Sequence, residues 1–480
     1  MAFAILSSAI AAAQQKDILK GGIVRGYIVD TTPAQLPIAG VRVQIDNGKG
    51  HIFETTSAET GVFVYTDIPA DDYLMNIHKS GYQRRMGKPL VVTSGGVHSV
   101  PLTMNKQEDI FTKFQNLFRS EEPQEYNKLF PFRVLKQTST KKQSGVSMSK
   151  QKLNFAFIGC GGNARGHGRS VSSVEDVEIV ALADPSAGSL DAFKETVGLD
   201  DALPTYADHV EMLAAVKPDA VVISSPHGLH FQHIMDALDA GCHVHTEKPM
   251  VCTVDHAKQV IAKVEETGLH LMIGYQRHLS PTYQYCRNVV QSGELGRVNF
   301  VSAHQSQNWY RNQQGKWRQD PFLGGGGQLN DSGSHLIDIL LWVLEASPET
   351  VFAMIDNLDI EVDVLTAMSI KFDTGALCNI SIVGHAYGGV REAFSIWLEE
   401  GALYLREGKL LRQEQSGSPE PVDDSDMPAS GNKDVAFIQL IRGERTENPI
   451  GVENGLRVIQ LTEAAWQSAE LGRPVKVDLS

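Results

Sequence analysis

The sequence predicts a multidomain chain: an N-terminal all-β sandwich, a doubly wound α/β domain, and an α+β domain with a large, open, mostly antiparallel sheet. Three observations carry this. Short apolar runs alternate with period two up to about residue 103. From residue 153 apolar strand runs alternate with longer helical patterns, and beyond residue 275 long polar strands follow without intervening helices. A chain of 480 residues with 42% hydrophobic content is long enough for two or three cores.

Residues 1–20 begin MAFAILSSAIAAAQQ, a short apolar run with small residues at Ala11 to Ala13 but no basic residue before Lys16. The stretch reads equally as a signal or as an alanine-rich tail, so the location is cytoplasmic by default and exported if residues 1–13 act as a signal peptide. Over residues 21–103, GIVRGYIVD, GVRVQID, ETGVFVYTDIP and DDYLMNIHKSGY alternate between turn residues, as in a small antiparallel sandwich. Gly26 to Asp30, Leu36 to Val41, Gly61 to Tyr73 and Gly81 with Tyr82 resemble the landmarks of the carboxypeptidase regulatory-like family. That resemblance implies a fold and no reaction.

Residues 104–152 hold Ile110, Phe111, Phe114, Leu117 and Phe118 at helical spacing, then the polar, basic linker KQTSTKKQSGVSMSKQK at 136–152. Residues 153–274 supply LNFAFIG, VEIVALAD, AVVISSP and GCHVHTEKP as buried parallel strands. Residues 275–480 supply RVNFVSAHQSQNW, TAMSIKFDTG, ALCNISIVGH and REAFSIWLEEG, closed by the helix GLRVIQLTEAAWQSAELG.

Composition narrows the function. With 43 basic and 57 acidic residues the net charge is −14, which excludes a nucleic-acid or anionic-membrane surface and leaves small molecules as partners. Five cysteines without a CxxC pair form neither a disulfide framework nor a zinc knuckle, so they read as reduced thiols. No apolar run approaches the ~20 residues needed to cross a bilayer.

The first strand of the α/β domain ends in GCGGNARGHG, a G-x-G-x-x-A turn at Gly159, Gly161 and Ala164 that opens a helix. Such a turn lets backbone N–H groups approach a pyrophosphate, and marks a Rossmann dinucleotide site. The next strand ends at Asp184, where a carboxylate accepts hydrogen bonds from ribose hydroxyls and repels the extra phosphate of NADP, so NAD is the expected cofactor.

A second concentration of signals is GGGGQLNDSGSHLID, Gly324 to Asp338. Asp331 and His335 are four apart on one helical face and Asp338 continues that edge, while Leu336, Ile337, Ile339, Leu340 and Leu341 bury the rest. The four glycines lack the Lys-Ser/Thr of a phosphate loop and are expected to bring backbone against a ligand. The plain alternative is that Asp331 caps the helix and His335 is a satisfied core side chain. Trp309, Tyr310, Trp317 and Arg318 suit a polyhydroxylated ring, and equally suit a core and a surface charge. His227, His230, His233, His243 and His245 crowd one span without a carboxylate pair, so no metal is expected there.

GCGGNARG, SSPHGLH, HTEKPM and WRQDPFLGGGGQLNDSGSHLID together resemble the Gfo/Idh/MocA family of oxidoreductases over residues 153–480. The resemblance implies that Lys248 meets nicotinamide ribose and a substrate hydroxyl, that Asp331 binds substrate, and that His335 is the catalytic histidine. It also implies cofactor contacts at Gly162, Asn163, Ser225, Pro226, His227, His230, Glu247 and Gln276, a substrate contact at Arg277, and a homo-oligomer, dimer or tetramer, formed through the exposed sheet face. Two features depart from the family pattern: His227 stands where many members carry asparagine, and the loop Tyr275 to His278 is less standard.

These residue types suit hydride transfer from a carbinol carbon. The hydroxyl proton must leave as the carbonyl forms, which His335 can accept; Lys248 stabilises the charge developing on that oxygen, and Asp331 orients the imidazole or grips a neighbouring hydroxyl. The expectation is an NAD-dependent oxidoreductase acting on a secondary hydroxyl of a sugar, glycoside or cyclic polyol. The alternatives are a redox-neutral NAD-dependent glycoside-cleaving enzyme and a non-catalytic NAD/sugar-sensing regulator.

Overall fold

The computed structural model describes residues 22–30, 41–46, 52–58, 62–78, 85–92, 97–104, 152–415 and 417–479. The tail at 1–20, the helical pattern at 110–118 and the linker up to residue 151 lie outside them.

In the N-terminal part, β1 (Gly22–Asp30), β4 (Val62–Ile68) and β7 (Val97–Met104) form a sheet of order β4-β1-β7. A second sheet, β3-β2-β5-β6, contains β2 (Arg42–Asp46), β3 (Ile52–Thr56), β5 (Asp71–His78) and β6 (Arg85–Val92). Val24, Ile28 and Phe63 from the first sheet share one apolar cluster with Val43, Ile45, Met75 and Ile77 from the second. Period-two alternation produces this, since each strand turns one face inward. One pair differs from the antiparallel expectation: β1 and β7 run parallel, Ile23 beside Val97. They are the first and last strands of the unit, so no hairpin constrains their direction.

The next unit is a six-stranded parallel sheet of order β10-β9-β8-β11-β12-β13. Its strands are β8 (Leu153–Ile158), β9 (Val177–Ala183), β10 (Thr205–Tyr206), β11 (Ala220–Ile223), β12 (His243–Thr246) and β13 (Leu271–Ile273). Helices α1 (Gly162–Ser172), α2 (Ala187–Val197), α3 (His209–Val216), α4 (His230–Asp239) and α5 (Val254–Thr267) alternate with them. All four residues of β11 are buried, as strands covered on both faces require. The strand order reverses between β8 and β11, whose C-terminal ends bound the crevice where such sheets bind ligands.

The last unit is built on a nine-stranded sheet of order β21-β20-β19-β18-β14-β17-β16-β15-β22. Its members are β14 (Val298–Ser306), β15 (Pro348–Asp356), β16 (Leu365–Phe372), β17 (Leu377–Val383), β18 (Arg391–Leu398), β19 (Gly401–Arg406), β20 (Lys409–Glu414), β21 (Glu420–Pro421) and β22 (Val475–Lys476). Among these pairs only β14 with β17 is parallel. Buried and exposed residues alternate along β16 and β17. One face therefore packs inward and the other is open, with Met354 at 60% and Leu377 at 48% exposure.

Helices α6 (Pro281–Ser292), the single turn α7 (Trp309–Asn312), α8 (Ser332–Leu344), α9 (Lys433–Ile441) and α10 (Val452–Leu471) complete this unit. In α8, Leu336, Ile337, Ile339, Leu340 and Leu341 are all buried, as their spacing predicted. The chain then returns to the parallel-sheet unit through α9, whose Phe437 packs edge-on against Phe155 of β8 with centroids 6.2 Å apart. One apolar cluster runs through both units, which fixes the crevice between them. All five cysteines are buried thiols outside any disulfide. No helix among the described residues is long and apolar enough to cross a membrane.

Candidate active site

The turn after β8 has the geometry its glycines predict. Gly159 has φ +85°, and a Cβ there would lie 2.6 Å from Ser225 N, so only glycine fits. At Gly161 and Gly162, by contrast, an added Cβ would meet nothing within 4 Å. Gly161 caps α1 without a side-chain bond, leaving the helix N–H groups directed to open space. Ala164 is fully buried behind the turn. Asp184 sits just past β9, accepting from Cys160 N and Ser186 N at 2.8 Å each, so its carboxylate lies against the turn. A small concave backbone, a helix N-terminus and an acid at the second strand fit a dinucleotide.

Beside this turn opens a cavity of about 700 Å³ lined by Asn163, Glu247, Lys248, Gln276, Trp309, Arg318, Asp331 and His335 among others. The structure thus brings eight of the sequence-predicted residues to one wall. Gly159, Gly161, Gly162, Ala164 and Asp184 lie at the adjoining turn, outside that lining.

Asp331 occupies the N-cap position of α8 but makes no capping bond, so the plain capping alternative does not hold. Its Oδ1 accepts from Lys248 Nζ at 2.7 Å. Its Oδ2 accepts from Trp309 Nε1 at 2.8 Å and Arg318 Nε at 3.0 Å. Burial alone would raise the pKa of this carboxyl, but Lys248, His227 and Arg318 outweigh it and hold the group well below the usual carboxylate range. The carboxylate is directed at these donors and not at the His335 imidazole, which corrects the first of the two roles expected of it, that of orienting the ring.

His335 is partly exposed, with a buried Nδ1 that has no hydrogen-bond partner among the described residues. Burial, then Lys248 and Arg277, push its pKa well below the ordinary 6.5, so the imidazole is neutral. Tyr275 packs edge-on against it at 5.8 Å.

The four glycines do something other than the sequence suggested. A Cβ on Gly324 would stand 2.6 Å from Arg318 O, on Gly325 2.0 Å from Cys252 Sγ, on Gly326 2.6 Å from Trp466, and on Gly327 2.0 Å from Asp363 O. Protein, not ligand, crowds the run: it threads between four neighbours to deliver Asp331 to the cavity. Asp363 fixes its exit, accepting from Gly327 N at 2.9 Å and Leu329 N at 2.6 Å.

Other predicted residues support the walls. His230 sits between Pro249 O at 2.8 Å and Ser225 O at 3.0 Å, tying the loop after β11 to the loop after β12. Ser225 Oγ pairs with His233 Nδ1 at 2.8 Å, and Pro226 caps the short turn His227–Leu229. His227 Nδ1 lies 3.1 Å from Gly324 O, its Nε2 lies 3.7 Å from Asp331 Oδ1, and Trp317 meets its ring edge-on at 4.8 Å. Arg277 is paired with Glu392 at 2.6 Å. Asp338 is turned to His278 Nε2 at 2.9 Å, away from the edge it was expected to continue.

Sequence reasoning missed a buried network below Glu247. His167 of α1 meets Asp434 Oδ1 at 2.5 Å through Nδ1 and Glu247 Oε1 at 2.9 Å through Nε2, while Lys433 also pairs with Glu247. His245 Nδ1 is 3.2 Å from the same Asp434 oxygen, and potential ligand atoms of His167, His245 and Asp434 lie within 4.8 Å of one another. Burial and Lys433 push the His167 pKa down, but the bonds to Asp434 and Glu247 outweigh them and raise it. The two carboxylates thus favour the protonated form of His167, and the donor set is internally paired. Gln307, Asn312 and Gln313, also missed, line the cavity with amides. The run of polar residues around the tryptophans was the signal available.

Residues 153–275 match the family described as "Oxidoreductase family, NAD-binding Rossmann fold", residues 283–404 match "GFO/IDH/MocA C-terminal domain", and residues 23–105 match "Carboxypeptidase regulatory-like domain". The chain is 31% identical over 199 residues to D-glucoside 3-dehydrogenase of Escherichia coli, covering 41% of this chain and 56% of that protein. It is 26% identical over 307 residues to 4-carboxy-2-hydroxymuconate-6-semialdehyde dehydrogenase of Sphingobium, covering 62% of this chain and 92% of that protein. The crystal structure of the WlbA dehydrogenase of Chromobacterium violaceum with NADH and UDP-GlcNAcA superposes with TM-score 0.62 at 25% identity, covering 69% of this chain and 98% of that one.

Proposed function

The chain belongs to the Gfo/Idh/MocA family of oxidoreductases, and from that premise we propose that it transfers a hydride between a secondary hydroxyl of a sugar, glycoside or cyclic polyol and NAD. The observation that carries the reading is the convergence of Lys248, Asp331 and His335 on one cavity beside the glycine turn. The substrate class rests on the glucoside dehydrogenase and the nucleotide-sugar complex among the relatives, and on the amides of Gln307, Asn312 and Gln313, which both donate to and accept from hydroxyls.

In this reading the neutral His335 takes the hydroxyl proton, because a base must be unprotonated to act. The Lys248 ammonium, fixed by Asp331, stabilises the negative charge growing on the substrate oxygen. Arg318 and Trp309 hold the other Asp331 oxygen, so the lysine is oriented before substrate arrives. NAD, when bound along the Gly159 to Ala164 turn, supplies the hydride acceptor. Asp184 favours NAD over NADP. Family membership and the open face of the nine-stranded sheet support assembly into a homo-oligomer through that face.

The test is a panel of sugars, glycosides and inositols with NAD and NADP, following reduced nicotinamide and product together. Reduced nicotinamide accumulating with free sugars supports the dehydrogenase. Glycoside cleavage without net reduction replaces it with oxidation, elimination and re-reduction. Binding without turnover, equal in Lys248→Ala and His335→Ala, points to a sensor and overturns the catalytic assignment.

A further inference from the structure

The N-terminal β unit touches the rest of the molecule at an informative place. Arg42 opens β2, and its guanidinium reaches into the last unit: Nη1 lies 3.0 Å from Asp320 Oδ2 and Nη2 lies 3.2 Å from Glu361 Oε2. Its Cζ stands 5.9 Å from the centre of the Phe322 ring. One side chain thus bridges two loops far apart in sequence, through a fork whose two ends suit two carboxylates.

Both loops hold the glycine run. Asp320 folds the first of them: its Oδ1 accepts from Phe322 N at 2.8 Å and Leu323 N at 3.0 Å, and its carbonyl accepts from Gly324 N at 2.8 Å. Leu323 O in turn accepts from Gly228 N at 2.8 Å, beside His227. Glu361 lies two residues before Asp363, whose carboxylate holds Gly327 N and Leu329 N. The first loop therefore fixes the entrance of the run and the second fixes its exit, immediately before Asp331.

We infer that the N-terminal β unit is a clamp on the active-site loop, with Arg42 as a positioning residue that ties the Asp320 turn to the Glu361 loop and so sets the path of residues 324–329 toward Asp331. The partner this surface of β2 fits is the chain's own acidic pair, Asp320 and Glu361, flanking an aromatic ring. The contact is only partly covered, with Arg42 at 36% side-chain exposure, so it can be broken without unfolding either unit.

The test uses the full chain. Amide exchange read by mass spectrometry on peptides spanning residues 320–329 is compared between wild type, Arg42→Ala, Arg42→Glu and the reversed pair Arg42→Glu with Glu361→Arg. Two partly exposed ion pairs predict exchange roughly three- to thirtyfold faster in Arg42→Ala, faster still in Arg42→Glu, and partial restoration in the reversed pair. Exchange in Arg42→Ala equal to wild type overturns the clamp, as does a reversed pair no better protected than Arg42→Glu. A second arm rests on the proposed function: the sugar KM rises in Arg42→Ala while NAD affinity, read by binding fluorescence, stays. If exchange changes and the sugar KM does not, the clamp stands and its catalytic consequence falls.

Discussion

Lys248 Nζ lies 2.7 Å from Asp331 Oδ1, although 83 residues separate them. One comes from the end of the parallel sheet and the other from the start of α8, so the pair exists only when the two units are docked. Both side chains are more than nine-tenths buried. Removing one partner leaves an uncompensated charge out of water, which costs roughly 3–5 kcal/mol in such settings.

Asp331→Ala is therefore expected to lower the unfolding temperature as well as turnover. Lys248→Ala is expected to cut kcat by about 10²–10³, the usual loss when one stabilising donor at a developing charge is removed. Calorimetry and steady-state kinetics on the two variants check this. A Lys248→Ala enzyme with wild-type kcat would remove the lysine from the chemistry.

His335 predicts a pH profile. Its pKa lies well below 6.5 because burial, Lys248 and Arg277 disfavour the imidazolium, so the base is already neutral at pH 6.5. The acid limb of kcat/KM should fall below that value, and His335→Ala should lose about 10²–10⁴ in rate. An acid limb at or above pH 6.5 would contradict the assignment.

Lys248 entered only through the family resemblance; the dinucleotide turn and the Asp331–His335 pair were legible from local spacing, the one as a glycine turn between strand and helix, the other as an acid and an imidazole four apart on one helical face. The network of His167 with Glu247 and Asp434 was not legible: its members come from α1, the end of β12 and α9, and only tertiary packing joins residues 267 positions apart. The glycine run was legible as an anomaly and misread in purpose, since nothing in the sequence says that Cys252, Trp466 and Asp363 press against it. Trp309 reads from composition equally as a sugar platform or a core aromatic, and the structure buries it with its indole N–H donated to Asp331.

The buried histidines make stability pH-dependent. His245 has its pKa lowered from 6.5 to about 4 by burial, despite Asp434. As pH falls below 6.5 the unfolded chain takes up a proton that the folded chain refuses, so stability is intact above 6.5 and lost down to about 4. At ~1.36 kcal/mol per unit the loss from this one group is roughly 3 kcal/mol. His167, with a raised pKa, acts in the opposite sense: its contribution is present below 6.5 and fades as pH rises through its folded value. His245→Phe should flatten the denaturation midpoint between pH 6.5 and 4, and an unchanged slope would discount the histidine.

Cofactor choice is predicted at Asp184, whose carboxylate lies against the turn through Cys160 N. Wild type should prefer NAD over NADP. Asp184→Ser should narrow that preference, because it removes the repulsion of a 2′-phosphate together with an acceptor for the ribose hydroxyls. The ratio of kcat/KM for the two cofactors measures it, and an NADP preference in the wild type would reverse the reading of this position.

Gly327→Ala tests what the glycine run is for. A Cβ there would stand 2.0 Å from Asp363 O and 2.5 Å from Asp363 N, both backbone atoms that cannot rotate aside. Either the run or the Asp363 loop must move, and overpacking of this kind costs roughly 1–3 kcal/mol. Asp363 also holds Gly327 N and Leu329 N, so the displacement travels to Asp331 and turns its carboxylate from Lys248. The variant should fold with a lower melting temperature and lose kcat/KM for the sugar, while NAD affinity, set at the Gly159 turn, is retained. At Gly161, where a Cβ would meet nothing within 4 Å of protein, alanine should leave stability unchanged and weaken NAD instead. The same substitution thus separates a glycine kept clear for protein from one kept clear for cofactor, and equal effects at both positions would refute that distinction.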